Sequence, residues 1–382
     1  MYNGVQEIFN KFGYKYLTTY KPSREQLQTF NDIKNCHTKR FGGRIYKCKE
    51  CGYSEYHYNS CRNRFCPNCQ AYRASKWIDN HEEEILDIDY YHVVMAVPVE
   101  LRTIFYHNQQ VMYDKLFKIS SDILLEVFSK YLNIEIGITS MLHTWSQRME
   151  YHPHMHMIIT AGGVNNLGKW VDIDSKQIPI DKIRKLFRDR LVKAIKTSNK
   201  IKMYGSYEYL NNKDNLFKYL DELYNQDFVC YLKKYDNIET IYEYLGKYAY
   251  KVCISNERIV KITDTRVTFT YRDRYNGDVE RKMSVRGEEF IRKFLMNVLP
   301  KGFIKIRYYG IIAGRDKSLR LNKLRLLTNT KKIEKAREEL IAKLNEFTRK
   351  EVDNCPKCHG KLEDCGKIKR KRRSFVVNRY SE

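Results

Sequence analysis

Cysteines are concentrated in one short stretch of the sequence, and this concentration limits how that stretch can fold. Six of the 11 cysteines lie between Cys36 and Cys69, where loops are short and aliphatic residues are few. The N-terminal stretch MYNGVQEIFNKFGYKY lacks the apolar core of a signal peptide, so we expect a cytoplasmic protein. Thiols at this density in a reducing compartment favour metal ligation over disulfides. The sequence therefore predicts a metal-binding domain near the N-terminus.

Two cysteine pairs in this stretch have the Cys-x-x-Cys spacing of zinc knuckles. Cys48 and Cys51 form the first pair, and Cys66 and Cys69 form the second after 14 intervening residues. Each such turn presents two thiolates from one tight loop, and tetrahedral zinc takes four soft ligands. We therefore predict that the two pairs bind one zinc ion in a zinc-ribbon-like domain.

Three further metal-binding side chains lie beside these pairs. Cys36, Cys61 and His57 either complete a second zinc site or only pack within the domain. Cys230 and Cys253 are isolated in apolar surroundings, which is typical of small core residues.

A third knuckle lies near the C-terminus, in the stretch CPKCHGKLEDC. Cys355 and Cys358 supply only half of a zinc site, and His359 and Cys365 are the nearest candidates to complete it. The alternative is a free cysteine pair.

The chain is strongly basic, with a formal net charge of +24 spread over 382 residues. Such an excess, mixed with 13% aromatic residues, favours a polyanionic partner, and nucleic acid more than a membrane. Arginines also alternate with cysteines in the block SCRNRFCPNCQAYR, at Arg62, Arg64 and Arg73. A metal-held turn could present their guanidinium groups to DNA phosphates, although a solvated surface is the alternative.

Three histidines stand at alternate positions in the stretch YHPHMHMII. On a β-strand His152, His154 and His156 would face the same side, as metal ligands rather than isolated polar residues. The neighbouring strand MLHTWSQ offers His143 and Gln147 as a third ligand. Such a site keeps coordination positions open, so it could act as a Lewis acid on a phosphodiester.

The stretch YLGKYAYK combines tyrosines and lysines at helical spacing. In the helix that we predict over DNIETIYEYLGKYAYKV, four side chains share an arc of about 100°, and Tyr250 points away. They are Tyr244, Lys247, Tyr248 and Lys251. Two phenols beside two ammonium groups suit nucleophiles that face a phosphate, whereas a buried stripe of tyrosines is the alternative.

Strands and helices alternate along the rest of the chain. YYHVVMAVP reads as a buried strand, residues 103–132 as a long helix, and ITSMLHTWSQ with HPHMHMIITAGG as two strands joined by a short turn. Residues 258–285 read as a β-meander with a turn at Asn276-Gly277, followed by the helix EEFIRKFLMNV. An antiparallel hairpin at the centre predicts an α+β fold.

These motifs, in this order, resemble one group of proteins over nearly the whole chain. NSCRNRFCPNCQ is similar to its zinc domain, VMAVPVELR to its first core strand, LHTWSQRMEYHPHMHMIITAGG to its metal-binding hairpin, and EEFIRKFLMNVLPKGFIKIRYYG to a downstream segment. With YLGKYAYKVCISNERI, they resemble the HUH endonucleases, named for a His-hydrophobe-His motif. Within that superfamily the chain looks like a two-tyrosine rolling-circle transposase of bacterial insertion sequences, of the insertion-sequence-ninety-one-like (IS91-like) family.

The resemblance implies a fold with three regions. Residues 1–78 would form an N-terminal helix and zinc-binding domain, residues 85–312 the HUH nuclease domain, and residues 313–382 a basic helical region that carries the third knuckle. The nuclease core would be an antiparallel sheet of about five strands flanked by helices. The metal-binding histidines would lie on a central strand.

The resemblance also implies roles for the motif residues. His154 and His156 match the HUH pair, and His143 stands 11 residues before His154, the spacing of a third ligand in related relaxases. The nucleophiles would be Tyr244 and Tyr248, with Lys247 and Lys251 as the paired lysines. Structural Zn²⁺ and catalytic Mg²⁺ or Mn²⁺ are the expected cofactors.

The implied activity is to nick and rejoin single-stranded DNA through 5′-phosphotyrosine intermediates. The expected partners are single-stranded DNA and the DNA ends of the element, with a host helicase as a further candidate. The absence of a GxxxxGK[ST] loop agrees with strand transfer that needs no ATP.

Two other functions fit parts of this pattern. A rolling-circle replication initiator would use the same site, and the spacing YxxKYxxK suits it. A non-enzymatic zinc-ribbon DNA-binding regulator would use only the cysteines and the basic charge.

Overall fold

The computed structural model describes residues 4–70, 85–235, 251–273, 276–331 and 354–370. They fall into two compact units. The first is drawn from Met1–Arg73, Ile254–Val298 and Leu340–Glu382, and the second from Ala74–Cys253 and Leu299–Glu339.

Both units contain helices and strands, as predicted for an α+β chain. In the described ranges the helices are α1 (Val5–Thr19), α2 (Arg24–Lys34), α3 (Arg102–His107), α4 (Gln109–Leu132), α5 (Ile180–Lys196), α6 (Lys213–Asp221), α7 (Gly287–Leu295) and α8 (Lys317–Thr328). The strands there are β1 (Gly43–Cys48), β2 (Ser54–Tyr58), β3 (Tyr90–Ala96), β4 (Ile134–Glu135), β5 (Gly137–Trp145), β6 (Tyr151–Thr160), β7 (Gly162–Asn165), β8 (Trp170–Asp172), β9 (Cys230–Tyr235), β10 (Ile259–Ile262), β11 (Arg266–Asp273), β12 (Val279–Arg286), β13 (Ile306–Gly310) and β14 (Leu362–Ile368). Of the helices in these ranges, none has the length and apolar character needed to cross a membrane.

The second unit is built on a five-stranded antiparallel sheet with the strand order β13-β5-β6-β3-β9. The strands β3, β5 and β6 are buried along most of their length, in agreement with their apolar sequences. The helix α4 packs on β5, β6 and β13, with side chains such as Leu116, Ile123 and Val127 fully buried. The histidine-bearing strand β6 is the central strand, which confirms its predicted place in a sheet of about five strands.

The helix predicted over residues 103–132 is interrupted at Asn108, which separates α3 from α4. The backbone of Asn108 leaves the helical region, with φ −127° and ψ 40°. Its side chain makes two hydrogen bonds to the backbone of Lys202, one from Nδ2 to the carbonyl and one to Oδ1 from the amide. Asparagine side chains compete with the helical backbone in this way, and here the competing partner is far away in the sequence.

The first unit begins with a helical layer in which α1 packs against α2 and α7. Ser23 and Gln26 form a capping box at the N-terminus of α2. The aromatic rings of Phe9, Phe30 and Phe294 join the three helices, with Phe9 centred 5.3 Å from each of the other two. These buried rings make the apolar core of this layer.

Two three-stranded sheets complete the first unit. The predicted β-meander is formed by β10, β11 and β12 in that order, and Gly277 in its turn has a φ of 79°. The second sheet has the order β14-β1-β2, so the hairpin β1–β2 gains a third strand from the C-terminal end of the chain. The C-terminal knuckle therefore packs within the first unit.

The close approach of α1 and α7 depends on the lack of a side chain at Gly287. A Cβ atom there would lie 2.1 Å from Cγ of Phe12. We expect Gly287→Ala to lower the free energy of unfolding by about 1–3 kcal/mol, because overpacking outweighs the gain in helix propensity. Denaturant titration measures this loss, and most of it should disappear in a Phe12→Ala background, where the added methyl group has room. An equal loss in both backgrounds would contradict the contact.

Candidate functional site

Three histidines of the five-stranded sheet converge on one point, and we call them the histidine trio: His143, His154 and His156. Each can offer one ring nitrogen such that the three nitrogens lie within 4.8 Å of one another. The Nε2 atoms of His154 and His156 are 3.0 Å apart. This is the arrangement of imidazole donors around a single cation.

Strand geometry places these rings together. His154 and His156 stand at alternate positions of β6, so they face the same side of the sheet. In the antiparallel register His143 of β5 pairs directly with His154. The structure therefore brings together the two histidines of the His-x-His motif and one of the two predicted third ligands, while Gln147 lies in the turn after β5.

His152 lies on the same strand but is not part of the trio. Burial lowers the pKa of its ring to about 3, and the charges of His154 and Arg102 add to this effect. Its Nδ1 atom is buried and has no hydrogen-bond partner among the described residues. The His152 side chain is thus held neutral beside the trio.

Hydrogen bonds fix which nitrogen each ligand presents. Nδ1–H of His154 donates to the carbonyl oxygen of His152 at 2.7 Å, so the lone pair of the neutral ring is on Nε2. Nδ1 of His156 lies 2.9 Å from Nε2 of His92, and the tautomer of His156 that donates to His92 carries its lone pair on Nε2. The ring of His143 stacks on Trp145 with centroids 4.6 Å apart. Such outer contacts orient metal-binding imidazoles.

The electrostatics around His156 favour its neutral ring. Burial is the main reason that the pKa of His156 lies well below its ordinary value. Four neighbouring positive charges lower this pKa further, those of His143, His154, His92 and Lys251. A neutral imidazole is the form that binds a cation, so the donor set fits a divalent metal.

Sequence reasoning missed His92. It lies on β3, the other neighbour of β6, where Val94 pairs with His156 and His92 occupies the diagonal position on the same face. The signal available was a single histidine inside the apolar strand YYHVVMA.

The predicted nucleophile motif lies mostly outside the described residues. Tyr244, Lys247 and Tyr248 fall in the range 236–250. Lys251 is described, and its ammonium group acts on the pKa of His156. The last residue of YLGKYAYK is therefore within electrostatic reach of the histidine trio.

Eight cysteines of the first unit form two groups of four thiols, each with its sulfur atoms within 4.8 Å of one another. The inner group consists of Cys36, Cys61, Cys66 and Cys69, and the terminal group of Cys48, Cys51, Cys355 and Cys358. In the inner group the sulfur of Cys69 lies 3.8 Å from that of Cys36 and 3.6 Å from that of Cys61. Zinc–sulfur bonds of 2.3 Å in a tetrahedron place sulfurs about 3.8 Å apart, so the donors fit zinc.

These groups correct the predicted pairing of Cys48 and Cys51 with Cys66 and Cys69. The hairpin β1–β2 separates the two knuckles, because Cys48 and Cys51 lie at its turn. Cys61 follows β2 at the opposite end, about 15–20 Å away for strands of this length. The two cysteines that were surplus in the sequence complete the inner group instead.

Other predicted ligands lie outside both groups. His57 is paired with Glu55 at 3.3 Å, and neither His359 nor Cys365 joins the C-terminal knuckle. Cys230 and Cys253 are buried in the second unit, as expected of core residues.

Two of the three predicted DNA-binding arginines lie in the segment that carries the thiols of Cys61 and Cys66. Arg62 is exposed, and Arg64 is half-buried with its guanidinium 5.1 Å from the ring centre of Phe65. Arg73 lies outside the described residues. Both described arginines thus lie between Cys61 and Cys66 in the sequence, two members of the inner group.

Two family models match the chain. One is described as a transposase zinc-binding domain and matches residues 8–97, and the other is described as a putative transposase and matches residues 137–319. The first spans the whole inner group, and the second spans the histidine trio. The order of these regions defines the class of protein: a transposase that carries a zinc-binding domain at its N-terminal end.

Two curated relatives resemble the chain over most of its length. A putative transposase of Sinorhizobium fredii, y4qJ, is 32% identical over 369 residues, which is 93% of this chain and 92% of the relative. The transposase for insertion sequence element IS801 of Pseudomonas savastanoi pv. phaseolicola is 26% identical over 76% of this chain and 71% of the relative. The chain belongs to the IS91-like family of transposases.

The contact between His92 and His156 can be tested through metal affinity. We expect His92→Phe to weaken binding of Mn²⁺ to the second unit by about 10–100-fold, because His156 loses the partner that orients its ring. Calorimetric titration of the zinc-loaded full chain measures this affinity. His92→Gln retains an acceptor and should recover part of it, whereas unchanged affinity in His92→Phe would contradict an orienting role.

Proposed function

We propose that this transposase is an HUH endonuclease that nicks and rejoins single-stranded DNA through 5′-phosphotyrosine intermediates, in rolling-circle-type transposition. The observation that carries the proposal is the histidine trio, with three ring nitrogens within 4.8 Å and Lys251 within electrostatic reach. The motif YLGKYAYK ends at that lysine. The proposal therefore puts the two candidate nucleophiles, which precede Lys251 in this motif, next to the cation site.

The role of the trio is to hold a divalent cation, Mg²⁺ or Mn²⁺, next to the scissile phosphate. Bound there, the cation would supply Lewis-acid polarisation of a phosphate oxygen. Three protein ligands leave coordination positions for phosphate oxygens. The hydrogen bonds to the His152 carbonyl and to His92 keep the rings of His154 and His156 in the required tautomers before DNA binds.

The nucleophile in this scheme is the phenol of Tyr244 or Tyr248. A free tyrosine titrates near 10, so attack at neutral pH needs help. The ammonium groups of Lys247 and Lys251 favour the phenolate and stabilise the negative charge that develops on the phosphate. The phenol oxygen bonds to phosphorus as the bond to the 3′-oxygen breaks. The products are a 5′-phosphotyrosine and a free 3′-hydroxyl.

Rejoining reverses this step on a new 3′-hydroxyl. The phosphotyrosine bond retains the free energy of the phosphodiester, so strand transfer consumes no ATP. Two tyrosines allow two successive cleavages, either at the two ends of the element or at donor and target. This is the advantage of a second nucleophile on the same face of the predicted helix.

The first unit would recognise the ends of the element. Arg62 and Arg64 stand beside the inner group of thiols, and the chain carries a net charge of +24. Guanidinium groups on a metal-held turn are preorganised to contact phosphates. We therefore assign end binding to the zinc-binding domain and cleavage to the second unit.

The phosphotyrosine step is tested by removing the phenols. Incubation with Mn²⁺ and labelled single-stranded oligonucleotides from the element ends should give a protein–DNA adduct that survives denaturing electrophoresis. Tyr244→Phe combined with Tyr248→Phe should abolish the adduct, whereas each single change should leave one nucleophile. Tyr250→Phe is the matched control, because on a helix this residue points away from the other two. An adduct that persists in the double variant would refute the assignment.

We assign the catalytic cation to the histidine trio and zinc to the thiol groups, and His154→Ala tests this division. We expect nicking to fall by at least about 100-fold, since the ligand to the cation at the developing charge is lost. The zinc content should stay unchanged. His152→Ala removes a neighbouring ring outside the trio and keeps the backbone carbonyl that orients His154. It should therefore retain most of the activity, while loss of zinc from His154→Ala would contradict the division.

A further inference from the structure

The terminal group of thiols takes half of its members from outside the region that the zinc-binding model matches. Cys48 and Cys51 lie within residues 8–97, and Cys355 and Cys358 lie near the other end of the chain. We propose that these four cysteines bind a second zinc ion, and that this ion fastens the C-terminal segment to the N-terminal zinc-binding domain. The chain then holds two structural zinc ions.

The sulfur positions of the terminal group support tetrahedral ligation. The sulfur of Cys48 lies 3.4 Å from that of Cys358, and the sulfur of Cys51 lies 3.6 Å from that of Cys355. Each short contact therefore joins one knuckle to the other, and all four sulfurs lie within 4.8 Å. Zinc–sulfur bonds of 2.3 Å require separations of about 3.8 Å, close to these values.

The backbones of the two knuckles repeat the same hydrogen bonds. In the first, the amide of Gly52 donates to the carbonyl of Cys48 at 3.1 Å, and the amide of Cys48 donates to the carbonyl of Tyr53 at 2.8 Å. In the second, His359 donates to Cys355 at 2.9 Å, and Cys355 donates to Gly360 at 2.7 Å. In both turns, the first cysteine thus bonds to the residues four and five positions after it.

Backbone dihedral angles strengthen this equivalence. Gly52 and His359, both four residues after the first cysteine, have φ angles of 71° and 60°. A positive φ is unfavourable for a histidine, so the turn at Cys355 adopts the knuckle conformation although its fourth residue disfavours it. In the same turn the amide of Lys357 donates to the sulfur of Cys355 at 3.4 Å, a bond that favours a thiolate ligand.

The packing around the terminal group is too small to hold the C-terminal segment by itself. In the part of the chain that the structure describes, the buried residues there are Cys48, Cys355 and Leu362, with Tyr46 and Tyr53 packed against them. A cluster of this size buries little apolar surface, and small domains of this kind depend on a bound metal. Metal ligation by the four cysteines is therefore the main interaction by which this end of the sheet would be stabilised.

The strand that follows the second knuckle extends the connection. β14 pairs with β1 from Cys48 opposite Leu362 to Gly43 opposite Ile368. Beyond it, the guanidinium of Arg370 lies 4.9 Å from the ring centre of Phe41. Zinc at the terminal group would thus fix the register of β14 and place the basic residues at its end on the zinc-binding domain.

Metal analysis of the full chain, purified without chelators, tests the proposal. The unaltered chain should contain two zinc ions, and Cys355→Ser with Cys358→Ser should contain one. Cys365→Ser is the matched control, because this exposed cysteine lies on β14 outside both groups, and it should retain two. One zinc ion in the unaltered chain, or two in the double variant, would overturn the proposal.

Combined variants distinguish a shared site from separate ones. Cys48→Ser with Cys51→Ser should also leave one zinc ion, and adding Cys355→Ser and Cys358→Ser should remove no more, because all four changes affect one site. Combining Cys48→Ser and Cys51→Ser with Cys66→Ser and Cys69→Ser should remove both ions. If this last variant lost only one ion, Cys48, Cys51, Cys66 and Cys69 would bind the same ion. That result would refute the proposed zinc site between the N-terminal and C-terminal knuckles.

A conservative variant separates loss of the ligand from loss of the fold. Cys358→His replaces one zinc ligand by another, so it should keep two zinc ions and the protease resistance of the C-terminal segment. Cys355→Ser with Cys358→Ser should make residues 354–370 accessible to trypsin while the histidine trio still binds Mn²⁺. Equal resistance in both variants would contradict a metal that fastens this segment.

Discussion

The antiparallel register of β6 with its two neighbours is the constraint on which the candidate catalytic site depends. Because side chains alternate along a strand, a slip of one residue would turn His154 and His156 to the opposite face of the sheet. The register with β5 places His143 opposite His154, and the register with β3 places His92 diagonal to His156. Both neighbours are buried strands, so the packing of their apolar residues fixes the register that brings the histidines together.

A second register, between β1, β2 and β14, determines how the cysteines are divided. The hairpin sends Cys48 and Cys51 to its turn and leaves Cys61 beyond its open end. β14 runs antiparallel to β1, so its first residues lie at the turn and carry the C-terminal knuckle there. Distance along the chain is therefore a poor guide to which thiols meet, whereas position along the hairpin is a good one.

Local patterns predicted the elements well, and long-range pairing accounts for what they missed. The alternation in YHPHMHMII is enough to place its histidines on one face, and the hairpin spacing is enough to bring His143 to them. A single histidine in YYHVVMA carries no such pattern, so the contact of His92 depends on strand order alone. The partner of Cys355 and Cys358 likewise depends on the pairing of β14 with β1. The break at Asn108 arises from hydrogen bonds to Lys202, which helix periodicity cannot reveal.

The chemistry of the donors distinguishes two kinds of candidate metal site in this chain. Four thiolates satisfy tetrahedral zinc completely, so neither thiol group has a position left for a phosphate oxygen. The histidine trio provides three harder donors and leaves positions open, which suits a cation that must contact substrate. Among the described residues, the trio is therefore the group of metal-binding side chains able to combine a cation with DNA. In the function that we propose, the thiol groups stabilise the domain that binds the DNA ends. The cation held by the trio contacts the scissile phosphate.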